Sequence, residues 1–323
     1  TVFLTIVQGY GIAVGLESWG AGQGASAVID PGYFFRFTTV ISLLGGTMFL
    51  MWLGEQITAR GIGNGISLII MAGIVAQLPT ALGTMFEQSR TGALSAGFVL
   101  LVTIVALATI AFICLMERAQ RRILIQYPKR QSGNRMSQGD SSHLPLKINT
   151  SGVIPPIFAS SLLLMPLTVA QFFSQQGSMP EWLTTVTTAL QHGAPLYMFL
   201  YAAGIIFFSF FYTAVVFNPD ETAENLKKYG GFIPGIRPGV RTSEYLDFVL
   251  TRITVIGAAY LTLICLLPEF LISELKVPFY FGGTSLLIVV NVTMDTVAQI
   301  QSHMLAHQYE GLIKKAKLRG GRR

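Results

Sequence analysis

Few side chains in this sequence could carry out a reaction, and their spacing argues against one. The four histidines, His143, His192, His303 and His307, lie outside the apolar runs of the chain. His303 and His307 are four apart, so a helix would put them on one face, but no third ligand stands near them in the sequence. There is no His-Glu-x-x-His pair for a zinc protease and no Gly-x-Ser-x-Gly elbow. Gly65-Ile66-Ser67 and Gly283-Thr284-Ser285 both continue into apolar residues. No phosphate-binding Gly-rich loop with Lys-Ser or Lys-Thr occurs, so the chain is not expected to hydrolyse a nucleotide. Cys114 and Cys265 sit inside apolar runs and read as small core residues rather than a disulfide, metal or redox pair. These features predict a chain that is not an enzyme, with no cofactor and no metal.

The remaining polar chemistry falls into two groups. Inside the apolar runs stand Asp295, Arg252 and Asn291, and charged residues in such places are functional candidates by default. Asp295 and Arg252 lie near the ends of their runs, where snorkelling or pairing accounts for them. A proton- or sodium-coupled carrier would show more carboxylates at midplane. Outside the runs, basic side chains gather in two long loops. The first, 117–151, holds Arg121, Arg122, Lys129, Arg130 and Lys147. The second, 218–248, holds Arg237 within a Gly- and Pro-dense stretch at 231–241. An exposed guanidinium suits a bidentate contact with carboxylate or phosphate.

The elements that must position these groups follow from where charge is missing. Nearly uncharged stretches run 36–57, 96–116, 152–173, 196–217, 249–268 and 279–300, with a shorter one at 66–83 and another at 1–16. A helix of ~20 apolar residues spans a hydrocarbon core ~30 Å thick. Hydrophobic residues make up 51% of the chain and charged ones 12%, with a mean hydropathy of +0.56. The fold class is therefore an all-α polytopic membrane protein, with about seven full membrane helices plus part of one at 1–16. If alternate connections lie on opposite sides, Arg36, Arg90 and Lys276 fall on one side and the other 19 of the 22 Lys and Arg on the other. The excess of positive charge makes that second side cytoplasmic. The expected divisions are the partial helix 1–16, helices with short loops over 17–116, the basic loop 117–151, helices over 152–217, the loop 218–248, two helices over 249–301 and a basic tail, 302–323. The chain starts at Thr1 directly in an apolar run, which reads as the tail of a helix whose start is absent.

Local signals refine the picture. Gly61-Ile62-Gly63-Asn64-Gly65 predicts a tight turn before the short run, in which Pro79 falls near the end. Run 152–173 opens with Pro155 and Pro156, which lack amide donors and are expected to weaken its first turns, followed by Ser160 and Ser161. Pro219, preceded by Asn218 as a cap, predicts a helix over 219–229, and Glu181–Gln191 a short surface helix.

These segments also carry a resemblance. MFLMWLGEQITARGIGNGIS (48–67), HLPLKIN (143–149), GVIPPIFASS (152–161), FNPDETAENLKKYGGFIPGIRPG (218–239) and VPFYFGGTSLLIVV (277–290) resemble, in order, the SecY family, which forms the channel of the bacterial protein-export translocase. The resemblance implies a SecY-like helical bundle in the bacterial cytoplasmic membrane, without the family's first two helices and plug. It implies an apolar pore ring at Ile66, Ile70, Ile157 and Ile288; by sequence alone these read as ordinary packing residues. It also implies a lateral gate that uses Pro155, Pro156, Ser160 and Ser161 to release apolar segments into membrane lipid. Implied partners are SecE, SecG, SecA, the ribosome through its RNA, and preprotein signal sequences. Arg121, Arg122, Lys129, Arg130, Lys147 and Arg237 would then dock the cytoplasmic partners; otherwise they only set topology. A secondary transporter of a small solute is the alternative function.

Overall fold

Stretches that lack charge become helices, and the alternating stretches between them become strands. In chain order the computed structural model contains α1 (Val2–Ser18), α2 (Tyr33–Arg60), α3 (Gly65–Arg90), α4 (Ala96–Arg118), β1 (Gln120–Gln126), β2 (Gln131–Ser132), β3 (Arg135–Met136), β4 (Ser141–Lys147), α5 (Ile154–Gln175), α6 (Glu181–Ala189), α7 (Pro195–Val216), α8 (Pro219–Lys228), α9 (Val240–Leu275) and α10 (Gly283–Gly320). The structure describes residues 2–18, 28–92, 95–128, 131–132, 135–136, 141–175, 181–190, 193–275 and 283–320. Among the described residues, five helical stretches are long and apolar enough to cross a membrane: Tyr33–Arg60, Gly65–Arg90, Gly97–Arg118, Pro195–Lys228 and Val240–Leu271. The apolar stretches Val2–Glu17 and Ile154–Pro166 are shorter. The 279–300 run falls largely on α10, where Asn291, Asp295 and Gln299 dilute its apolar character.

The chain divides into two units, Thr1–Leu101 with Met165–Thr187 and Ser285–Arg323, and Val102–Leu164 with Thr188–Thr284. In the first unit α1 and α2 form a hairpin tied by charge. The Arg36 guanidinium donates to Glu17 Oε2 at 2.6 and 2.9 Å and to the Tyr10 hydroxyl at 3.2 Å. Glu17 also accepts from the Gly32 amide at 3.1 Å, and its side chain is only 5% exposed. A carboxylate this deeply covered needs such partners, because an unpaired buried charge is strongly destabilising. The helix expected over 66–83 runs on to Arg90, leaving Pro79 in its interior.

In the second unit α7 packs along α9 and α8 folds back on the start of α9. The prediction of a helix after Asn218 holds: its side chain accepts from the amides of Asp220 at 3.1 Å and Glu221 at 3.5 Å. The helix then ends in a Schellman motif. Gly231 donates to the Leu226 carbonyl at 2.9 Å and Gly230 to that of Lys227 at 3.1 Å, with Gly230 at φ +74°. That conformation is the one a glycine at this position supplies.

One reading is filled in and another needs correction. The 117–151 loop contains a paired hairpin. β1 pairs with β4 antiparallel from Gln120 opposite Lys147 to Gln126 opposite Ser141. Pro155 and Pro156 do not weaken the first turns of a span; they stand at the second and third residues of α5. The first four amides of a helix have no acceptor within it, so proline is tolerated there.

Candidate functional site

The corner between α2 and α3 is built from contacts that allow no side chain. A Cβ added at Gly65 would come within 2.0 Å of the Gly54 carbonyl oxygen, and one at Gly54 within 2.8 Å of Ile66 Cγ1. Thr58 bridges the corner: its hydroxyl donates to the Gly54 carbonyl at 2.9 Å and accepts from the Gly65 amide at 2.8 Å. Asn64 caps α3, accepting from Ile66 N at 3.2 Å and Ser67 N at 3.5 Å. The start of α3 is thereby fixed, and with it Ile66 and Ile70, which lie four residues apart on one helix face.

In the same unit α10 runs antiparallel to α3. Gln299 Oε1 accepts from the Gly63 amide at 2.7 Å, and Thr293 Oγ1 lies 3.5 Å from Met71 Sδ. Ile66 is 46% exposed and Ile70 40%, whereas Ile288 on α10 is 6% exposed. The first unit therefore carries three of the four pore-ring candidates, two open and one covered. Ile157 belongs to the second unit, in the first turn of α5, where its carbonyl accepts from the Ser160 hydroxyl at 2.9 Å. Pro155 and Pro156 are buried and Ser161 is exposed. α5 lies close on α7: a Cβ at Gly204 would be 3.2 Å from Ala159 Cβ, and Phe158 stacks on Phe208 with ring centres 5.7 Å apart.

The basic segments are brought together by an apolar cluster that sequence reasoning missed. Ile123 and Leu146 from the hairpin, Ile233 from the Gly-Pro segment, and Leu246 and Ile253 from α9 form one buried group. Gln126 and Phe232 exchange backbone hydrogen bonds at 2.9 and 3.0 Å, extending the hairpin by one bridge. At its base the Asn149 amide donates to Glu117 Oε1 at 2.6 Å and to the Gly152 carbonyl at 3.2 Å. Gly257 of α9 makes room for this base, since a Cβ there would lie 2.7 Å from the Ile148 carbonyl oxygen. Arg121 and Arg122 are exposed on β1, Lys147 at the end of β4, and Arg237 on the adjoining segment. Lys129 and Arg130 lie outside the described residues. The available signal was two short apolar runs, Ile123–Leu124–Ile125 and Leu144–Pro145–Leu146, each flanked by polar residues.

The intramembrane candidates are unremarkable in chemistry. Arg252 is not at the start of its helix but twelve residues after Val240, with its guanidinium 4.4 Å from the centre of the Phe248 ring. Asn291 is buried and Asp295 exposed. Among the described residues no group of three His, Cys, Asp or Glu could hold a metal.

Known proteins resemble the chain along almost all of its length. The family model for SecY matches residues 1–297. The protein translocase subunit SecY of Escherichia coli K12 is 58% identical over 320 residues, covering 99% of this chain and 72% of that protein. The corresponding subunit of Vibrio cholerae is 57% identical and that of Rickettsia conorii 56%, each over 99% of this chain and covering 72% and 73% of the relative. Among solved structures, a SecY channel described with its plug domain superposes with a TM-score of 0.64 at 20% identity, covering 93% of this chain and 72% of that one. A second protein-conducting channel gives 0.63 at 19%, with the same coverage. Canine Sec61 from a ribosome–channel complex gives 0.58 at 18%, covering 93% and 71%. These matches set aside the small-solute transporter. With its helical fold shared by solved channels and more than half its residues shared with translocase subunits, this multi-pass membrane chain belongs to the SecY family.

Proposed function

We propose that the chain forms the core of a protein-conducting channel that moves signal-bearing preproteins across the bacterial cytoplasmic membrane and releases membrane proteins into it. The observation that carries the reading is the fixed corner that presents Ile66 and Ile70 on one face of α3, beside the helix that bears Ile288. An apolar constriction resists ions by dewetting. Its side chains offer neither donor nor acceptor, so they cannot hold a passing backbone. Ile66 and Ile70 are exposed, and Ile288 is covered. The resemblance to the family assigns Ile157, in the second unit, to the same ring, and Pro155, Pro156, Ser160 and Ser161 to the lateral gate toward lipid. The role is non-catalytic: motive force comes from bound partners.

The hairpin platform is the cytoplasmic docking surface. Arg121, Arg122, Lys129, Arg130, Lys147 and Arg237 meet ribosomal RNA phosphates or carboxylates of SecA, while SecE and SecG accompany the chain in the membrane. What supports this is the shared apolar cluster, which makes one rigid mount from two segments distant in sequence.

The test is site-specific photocrosslinking in membranes that hold the assembled translocase. A photoreactive residue at Ile66, Ile70 or Ile288 should capture a stalled secretory chain. A probe at Leu107, exposed on α4, should capture lipid instead. Preprotein adducts at Leu107 and none at the isoleucines would overturn the pore assignment.

A further inference from the structure

The corner between α2 and α3 places its amides carefully. Gly61 donates to the Ile57 carbonyl at 2.7 Å, Gly65 to Thr58, and Ile66 and Ser67 to Asn64, all within the corner itself. The Gly63 amide finds its acceptor 236 residues away, in the carboxamide of Gln299 at 2.7 Å. Gly63 has φ +91°, so the turn directs this amide with a backbone shape that other residues rarely adopt. Thr296, one turn before Gln299 on α10, lies against the same spot: its hydroxyl would be 3.4 Å from a Cβ at Gly63. One turn further, Thr293 meets Met71. Thus Gln299 and Thr296 face the turn that precedes α3, and Thr293, on the same side of α10, faces its second turn.

We infer that Gln299 is a positioning residue: its carboxamide oxygen, by holding the Gly63 amide, fixes the start of α3 and with it the position of Ile66 and Ile70. Gly63 stands two residues before α3, three before Ile66 and seven before Ile70. A shift of the latch therefore reaches both isoleucines with little chain in between to absorb it. Gln299 itself stands 11 residues, about 16 Å, from Ile288, so it acts through α3 and does not line the constriction. This inference rests on the pore assignment, but the contact can be tested without it.

The experiment uses the full chain in its translocase, reconstituted in lipid. Hydrogen exchange is followed for the 61–68 segment, and ion leak is measured in the same vesicles. Gln299→Met keeps length and removes the acceptor; Gln299→Glu keeps an acceptor oxygen. One neutral hydrogen bond corresponds to roughly fivefold in an opening equilibrium. The Met variant should therefore speed exchange in 61–68 about fivefold and raise leak, while the Glu variant stays near the parent. Gln299→Leu is the second acceptor-free variant and should match Met. Unchanged exchange in Met and Leu, or a Glu variant that behaves like them, overturns the latch. Faster exchange with leak raised only by an Ile66→Asn control leaves the bond in place but overturns its positioning role. Faster exchange with no leak in any variant, the control included, supports the latch and defeats the pore assignment instead.

Discussion

At the residue scale, the corner of α2 and α3 is the least forgiving place in the first unit. Gly65→Ala forces a methyl group to within 2.0 Å of a backbone oxygen, so the helices must part. Overpacking of this kind typically costs ~1–3 kcal/mol. The expected outcome is a lower midpoint of thermal unfolding in detergent than for the parent, whereas Gly73→Ala, at an open position inside α3, should unfold no lower than the parent. Removing the cap with Asn64→Ala should cost about 1 kcal/mol by the same measurement. A different readout applies to Ile66→Asn. An amide in an apolar constriction invites water, so ion conductance across reconstituted bilayers should rise several-fold. The glycine run at 61–65 was legible as a turn in the sequence. That Gly54 and Gly65 touch was not, because two glycines eleven positions apart carry no pattern that says they meet.

At the scale of elements, the hairpin β1–β4 depends on α9 as much as on its own ladder. A hairpin alone is marginal in water and needs an apolar surface to lie on. Leu246, fully buried beneath it, supplies part of that surface. Leu246→Ala should weaken the seat by ~2–4 kcal/mol. Limited proteolysis should then cut within 119–150 sooner, while α7 and the membrane part of α9 stay resistant; equal cutting rates would refute this dependence. The long apolar helices were legible because ~20 uncharged residues in sequence have few other uses. The strands were missed because their apolar runs, Ile123–Ile125 and Leu144–Leu146, are only three residues long and far apart within 117–151. Pro155 and Pro156 misled for a related reason. A proline pair breaks a helix interior but opens a helix start, and composition alone does not say which position it holds.

At the scale of the whole molecule, net charge of +6 concentrated in loops and tail implies partners with negative surfaces. If the platform docks ribosomal RNA as proposed, replacing Arg121 and Arg122 together with Glu should weaken ribosome binding and flatten its dependence on salt, since fewer counterions are released on contact. Titration of binding against potassium chloride checks both; an unchanged slope would leave the two arginines with topology alone. The family was legible because its long motifs are read as strings, whereas the platform that joins two of them emerges only from the fold. One dimension has a mechanical consequence of its own. α10 is a single 38-residue helix, about 57 Å long, against a hydrocarbon core of ~30 Å. A stiff rod turns as one body, so the angle through which one end swings is the angle through which the other end swings. A push at one tip is thus handed on undiminished to the other, as along a crankshaft.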